Sequence, residues 1–246
     1  MRPRIVLTFL LSCIILAALG QRPREVTVMS YNVRHCSGMD LVIDYDRTTK
    51  VMTQLQPDVM ALQELDSVTG RSGQCDQLAE LARRTQYHPT YGSAIDFDGG
   101  KYGVGILTRE IPLSAKRIPL PGEEPRVLLV VELKDYVIAC THLDLEEEQR
   151  LASLPIIVEE ASRWQKPFLL AGDWNDGPDS ELLQAMKVFF AIHSSTEPTY
   201  PADKPTECID YVASFIYRPA ETVRSRVIDE PEASDHRPLV VSVVWR

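Results

Sequence analysis

The side chains best suited to chemistry sit where apolar runs meet polar clusters. Val26-Thr27-Val28-Met29 leads to Asn32, and Asp58-Val59-Met60-Ala61-Leu62 leads to Gln63-Glu64. Tyr136-Val137-Ile138-Ala139-Cys140 leads to Thr141-His142. Pro167-Phe168-Leu169-Leu170-Ala171 leads to Gly172-Asp173-Trp174-Asn175. Near the C-terminus the order reverses, with Ser234-Asp235-His236 ahead of the run from Leu239 to Trp245. Hard carboxylate and amide oxygens beside two histidines suit Mg2+-assisted phosphoryl chemistry.

Each group has a role that its type supports. Glu64 is a candidate metal ligand, and the Asn32 amide could ligate the ion or orient a bridging water. Asp173 and Asn175 are two apart, so in extended backbone they share a face. There a carboxylate and an amide could hold an attacking water and a phosphate oxygen. The same stretch also suits a turn with a helix cap, because Asn175, Asp176 and Asp179 are good capping residues. Asp235 could serve the metal while His236 acts on water or phosphate. A histidine works best with its tautomer fixed by a carboxylate, and Asp210 is the candidate partner. His142 is a second imidazole, suited to stabilising or protonating a phosphoryl oxygen. Arg34 and Arg71, with His35, follow site residues in loops and would form an anion pocket, or else plain surface charge.

Strands must position these groups. Apolar β-branched runs read as buried strands. A strand running toward a site carries polar residues at its end, and one running back carries them at its start. The clusters therefore meet on one edge of a sheet sandwich. The pattern predicts strands at 25–31, 59–62, 88–93, 103–108, 114–120, 127–133, 136–139, 168–171, 209–213, 221–227 and 239–245. Helices are expected at 45–55, about 76–86, 146–164 with Pro155 inside, and 180–186. Antiparallel meanders mixed with a few helices point to two packed sheets with helices outside.

At 246 residues, with no Pro/Gly/Ser linker dividing the middle, a single domain over 21–246 is expected. Arg2 and Arg4 precede the apolar stretch Ile5 to Leu19, and Ala18-Leu19-Gly20 resembles a signal-peptidase cut. Residues 1–20 are therefore expected to be a signal peptide, giving an exported chain. Losing them removes two arginines and no acids, so the net charge moves from −9 to −11. An acidic chain suits long polyanions poorly. Stable membrane association after cleavage is not expected, and neither is an oligomer. Four cysteines remain in the mature chain. Cys140 reads as a buried thiol in a strand, and Cys36 with Cys75 as a possible bridge between loops.

The stretches MSYNVR, ALQELD, THLD, LLAGDWN, CIDYV and SDHRPLVV, running from Met29 to Val241, resemble the endonuclease/exonuclease/phosphatase superfamily in content and order. The resemblance implies a four-layer α/β sandwich of two mixed, largely antiparallel sheets flanked by helices, the DNase I-like fold. It implies dependence on Mg2+ or Mn2+, with Glu64 the principal ligand, aided by Asn32 and Asp235. It implies that Asp173 and Asn175 handle the water and the scissile phosphate. His236, paired with Asp210, is then base or phosphate ligand, and His142 the second phosphate-binding histidine. Trp174 departs from the family, which more often has Phe or Leu there; the larger ring is expected only to fill core. The short mature chain shows no inserted loop suited to a DNA groove. The expected activity is hydrolysis of a phosphodiester or phosphomonoester by direct attack of water. The alternatives are a secreted nuclease and a non-catalytic phosphate-binding module.

Overall fold

The structure, a computed structural model, describes residues 24–245, so the expected signal peptide lies outside the described residues. The chain runs β1 (Arg24–Asn32), α1 (Tyr45–Leu55), β2 (Val59–Ser67), α2 (Gln77–Thr85), β3 (His88–Phe97), β4 (Gly100–Thr108), β5 (Ser114–Leu120) and β6 (Arg126–Glu132). It continues through β7 (Val137–His142), α3 (Glu147–Ser162), β8 (Phe168–Asp173), α4 (Glu181–Phe189), β9 (Phe190–Ile192), β10 (Asp210–Phe215), β11 (Glu221–Val227) and β12 (Leu239–Trp245).

These strands form two six-stranded sheets, ordered β11-β12-β1-β2-β4-β3 and β5-β6-β7-β8-β10-β9. β1 pairs with β2, and β7 with β8, in parallel; the other pairings are antiparallel. A parallel pair needs a crossover, and α1 and α3 supply it. Asp44 caps α1 by accepting from the Arg47 N–H, and Asp76 caps α2 by accepting from the Ala79 N–H. Ser180 does the same for α4. Glu147 and Glu148 occupy the first turn of α3, where negative charge suits the helix dipole.

Alternate residues of each central strand face opposite ways, and this makes the layers. Val26, Val28 and Ala61 of the first sheet meet Ile138, Leu169 and Val212 of the second in the core between sheets. On the far side of the first sheet, Met29, Tyr31 and Met60 pack on Val51, Met52, Leu78 and Leu81 of α1 and α2. On the far side of the second, Val137, Ala139 and Leu170 pack on Leu154, Ile157, Leu182 and Met186 of α3 and α4. The result is the expected order of helix, sheet, sheet, helix.

Three local features differ from the sequence reading. β2 does not stop at Leu62: it runs on to Ser67, with a register shift against β4 between Leu62 and Leu65. β3 runs on to Phe97 and turns tightly into β4 through Asp98 and Gly99, both at positive φ. Cys36 and Cys75 are free thiols rather than a bridge, and burial pushes the Cys36 thiol far up. Cys140 is the expected buried thiol, and the Gln63 amide donates to it at 3.2 Å.

Candidate active site

The sheet edge that gathers the polar groups follows from strand direction. β1, β7 and β8 end at Asn32, His142 and Asp173, and antiparallel β10 begins there at Asp210. The register sets His142 opposite Asp173 and Asp210 opposite Asp173. Gly172 permits this closeness: a Cβ on it would lie 2.1 Å from the Thr141 carbonyl oxygen. Glu64 reaches the same edge differently. It sits inside the β2 bulge with φ at 59°. A bulge re-aims one side chain without ending its strand.

The groups converge on Asp173. Asn32 Nδ2 donates to Asp173 Oδ2 at 3.1 Å and to Glu64 Oε1 at 2.9 Å, and lies 3.5 Å from His236 Nε2. His236 Nε2 and His142 Nε2 lie 3.5 and 3.6 Å from Asp173 Oδ2. His236 Nδ1 is 2.9 Å from Asp210 Oδ2, which also accepts from the Thr199 hydroxyl at 2.6 Å. Asp210 thus fixes the ring with Nε2 toward Asp173. The Tyr200 ring backs the imidazole at 4.9 Å. Asp173, Asp210, His236, His142 and Asn32 are all buried.

Asp173 and Asn175 do not share a face of extended chain. Asn175 is left-handed, its N–H donates to Asp173 Oδ1 at 3.0 Å, and its amide donates to the Leu143 carbonyl at 2.8 Å. A tight turn brings them together, not strand alternation. Trp174 between them is fully buried against Tyr211, filling core as expected.

Burial and neighbouring charge set the two histidines apart. Burial works against a charge on His236, but the Asp210 and Asp173 carboxylates outweigh it and lift the imidazole to about 10. Burial dominates at His142 and lowers it to about 4, with Arg126 and His236 adding and Asp173 opposing. Burial also pushes the Asp173 carboxyl up, against the pull of His236.

The cleft over this cluster has a volume of about 460 Å3 and is lined by Glu64, Asp173, Asn175, Asp235, His142 and His236, among others. Glu64, Glu124, Asp173, Glu207 and Asp235 set five carboxyl groups there against one arginine, Arg126. Such a surface would repel an anionic ester unless a cation offsets it. Hard carboxylate donors fit Mg2+ or Mn2+. Asp173, Asp210 and His236 also offer ligand atoms within 4.8 Å of one another. That closeness is a hydrogen-bonded pair plus a neighbour, while Glu64 and Asp235 line the open cleft and could hold a cation there. Asn32 presents its amide nitrogen to Glu64, while its oxygen accepts from the Arg34 N–H at 3.1 Å.

Arg34 and Arg71 lie outside this cluster, in an adjoining pocket. Arg34 Nε is 3.3 Å from Asp235, and Arg71 grips Asp66. The sequence reading passed over Arg126, which is nearly buried and ion-paired with Glu124 and Asp144. A cation opening an otherwise apolar strand was the available signal. Tyr102 also lines the cleft, as does Tyr200, whose stretch Thr199-Tyr200-Pro201 reads from sequence as either a rim of the site or a plain loop.

Residues 29–236 match the family model described as the Endonuclease/Exonuclease/phosphatase family. Among solved structures, an endonuclease/exonuclease/phosphatase from Beutenbergia cavernae is similar with a TM-score of 0.78 at 25% identity, over 90% of this chain and 72% of its own. A counterpart from Bacteroides vulgatus gives 0.75 at 15% identity, over 91% of this chain and 100% of its own. A mannosyl-6-phosphatase of Bacteroides thetaiotaomicron gives 0.74 at 16% identity, over 89% and 100%. No curated protein matches by sequence. With the family model covering most of the chain and the six motifs gathered at one sheet edge, this chain belongs to the endonuclease/exonuclease/phosphatase family.

Proposed function

We propose that the chain is an exported phosphoesterase that uses Mg2+ or Mn2+ to hydrolyse a phosphodiester or phosphomonoester by direct attack of water. The observation that carries this reading is the buried Asn32–Asp173–His236–Asp210 network under an open acidic cleft. Asp173 is the base: it accepts a proton from the water whose oxygen bonds to phosphorus. Asn175 shapes the turn that holds Asp173 in place. His236, kept protonated by Asp210, donates from Nε2 to a phosphoryl oxygen as negative charge builds there. His142 stays neutral and offers a second contact to the phosphoryl group. The ester P–O bond then breaks, and the leaving alcohol takes its proton through the open cleft. Glu64 and Asp235 would hold the divalent ion, which when bound polarises a phosphoryl oxygen and offsets its charge.

A small ester is favoured over nucleic acid. The carboxylates lining the cleft and the acidic chain both disfavour a long polyanion. A fold shared with a mannosyl-6-phosphatase is compatible with a phosphomonoester. The purified chain from Gln21 onward, with p-nitrophenyl phosphate and bis-p-nitrophenyl phosphate, tests the reading. Hydrolysis with Mg2+ or Mn2+, lost in EDTA, is expected; a folded protein inert toward both esters and toward sugar phosphates would point to the binding-module alternative. Export rests on residues 1–20. A secreted product with its N-terminus at Gln21 is expected, and retention of the segment in the exported protein would contradict it.

A further inference from the structure

A second pocket adjoins the catalytic cleft and shares Glu64, Tyr102, Glu124 and Asp235 with it. Its other lining residues are Arg34, His35, Arg71, Ile95 and Phe97. The carboxylates of the pocket thus stand on the shared wall, and the far wall is cationic and aromatic. The pocket measures about 200 Å3. That is below the roughly 300–1,000 Å3 of a site for a whole small molecule. It has room for a substituent of something seated in the cleft.

Hydrogen bonds hold the far wall in place. Arg71 Nε and Nη2 donate to the two oxygens of Asp66, both at 2.8 Å, and Asp66 is fully buried. The guanidinium lies 4.4 Å from the Phe97 ring centroid, and the Arg71 N–H is tied to Asp98. A guanidinium has five N–H donors, so Asp66 leaves the Nη1 end free for another acceptor. Arg34, His35 and Cys36 form a turn with φ of 45°, 44° and 60°, three successive non-glycine residues in the left-handed region. Such strained backbone concentrates at ligand clamps. The Gln77 amide pins the turn through the His35 carbonyl at 2.7 Å. His35 Nδ1 is buried with no hydrogen-bond partner among the described residues.

We infer that this pocket binds a second oxyanionic group of the substrate, so that the preferred substrates are small phosphate esters that also carry another phosphate or a carboxylate. The inference rests on the phosphoesterase reading above. Arg34 is ion-paired with Asp235 and Arg71 with Asp66, but the Arg71 Nη1 end remains to meet an anion, and a forked guanidinium suits the oxygens of phosphate or carboxylate. A nucleobase is disfavoured, because the Phe97 face it would stack on is covered by Arg71. A long polyanion would have to pass Glu64 and Glu124 at the shared wall.

The test compares kcat/KM for glucose 6-phosphate, glucose 1,6-bisphosphate, 3-phosphoglycerate and a short oligonucleotide. The bisphosphate, the phosphoglycerate or both should exceed the monophosphate about tenfold or more, the worth of one charge-assisted hydrogen bond. Which of the two wins tells phosphate from carboxylate. Arg71→Lys, which keeps a charge beside Asp66, and Arg34→Gln should each erase most of that advantage through KM. Binding of the same compounds to His236→Ala protein, followed by calorimetry, separates the two claims. Arg71-dependent preference for the doubly charged compound in binding supports the pocket even if no ester is cleaved. Hydrolysis with equal kcat/KM for singly and doubly charged esters, or a clear preference for the oligonucleotide, overturns the pocket and leaves the phosphoesterase reading standing.

Discussion

The centre around Asp173 and the pocket around Arg71 share a wall, yet they are built from different material. The centre hangs on strand ends: Asn32, His142, Asp173 and Asp210 are fixed by the registers of two parallel pairs and one antiparallel neighbour. Its groups are buried, and each histidine takes its charge state from burial and carboxylates. The pocket hangs on a strained turn and a loop, and its Arg71 side chain keeps 35% of its surface exposed. Rigid sheet edges can hold reacting groups in close geometry, whereas loops change without disturbing the core. On the reading proposed above, turnover belongs to the first region and substrate choice to the second.

The sharpest way to break that contrast is to remove the imidazole. His236→Ala should lower kcat by about 10^3-fold or more, within the range for losing a positioned acid–base group, with little change in KM. A rise in KM alone, measured on p-nitrophenyl phosphate, would move His236 out of the chemistry. Asp210→Asn should also lower kcat, by about 10^2- to 10^4-fold, because the ring stays but loses the partner that holds its charge and tautomer. Its NMR titration should show the His236 imidazole falling from about 10 toward its ordinary range in the metal-free protein.

The two histidines should also pull stability in opposite directions with pH. His142 is lowered to about 4 when folded, so its contribution is full above about 6.5 and lost as pH falls toward 4. His236 is raised to about 10, so its contribution is full below about 6.5 and lost as pH rises toward 10. At about 1.4 kcal/mol per unit each side is worth a few kcal/mol, the His236 side the larger. The Tm of metal-free protein should flatten on the acid side in His142→Gln and on the alkaline side in His236→Gln. An unchanged profile in both would refute a neutral His142 beside a charged His236.

Gly172→Ala should act first on the fold and only through it on the chemistry. Its methyl would press on the Thr141 carbonyl where β7 and β8 meet. Overpacking of this kind costs about 1–3 kcal/mol. Chemical denaturation should show that loss, and a native midpoint would mean the strands separate easily.

Much of the centre was legible because strand direction and residue type are local signals. Asn32, His142 and Asp173 end apolar runs, and Asp210 and Ser234-Asp235-His236 precede them. Glu64 was legible as a candidate but not in its placement. A positive φ inside a strand is imposed by pairing across to β4, which the run Val59 to Leu62 does not reveal. The turn at Asn175 was hidden likewise, since it depends on the Leu143 carbonyl from a neighbouring segment. Arg71 was readable as a loop cation, but its grip on Asp66 and its stacking on Phe97 join residues from β2, its loop and β3. The role of Arg126 is not legible in sequence because its buried partner Asp144, just past β7, meets it only once β6 and β7 lie side by side.

The most direct test of this chemistry is Asp173→Asn, assayed for kcat and for Tm in the same preparation with Mg2+ or Mn2+ present. The change is nearly isosteric and removes the one carboxylate on which Asn32, His142 and His236 converge. If Asp173 is the base, kcat falls by about 10^3-fold or more while Tm stays within a few degrees of the parent. Near-native turnover by a folded Asp173→Asn protein would contradict that role.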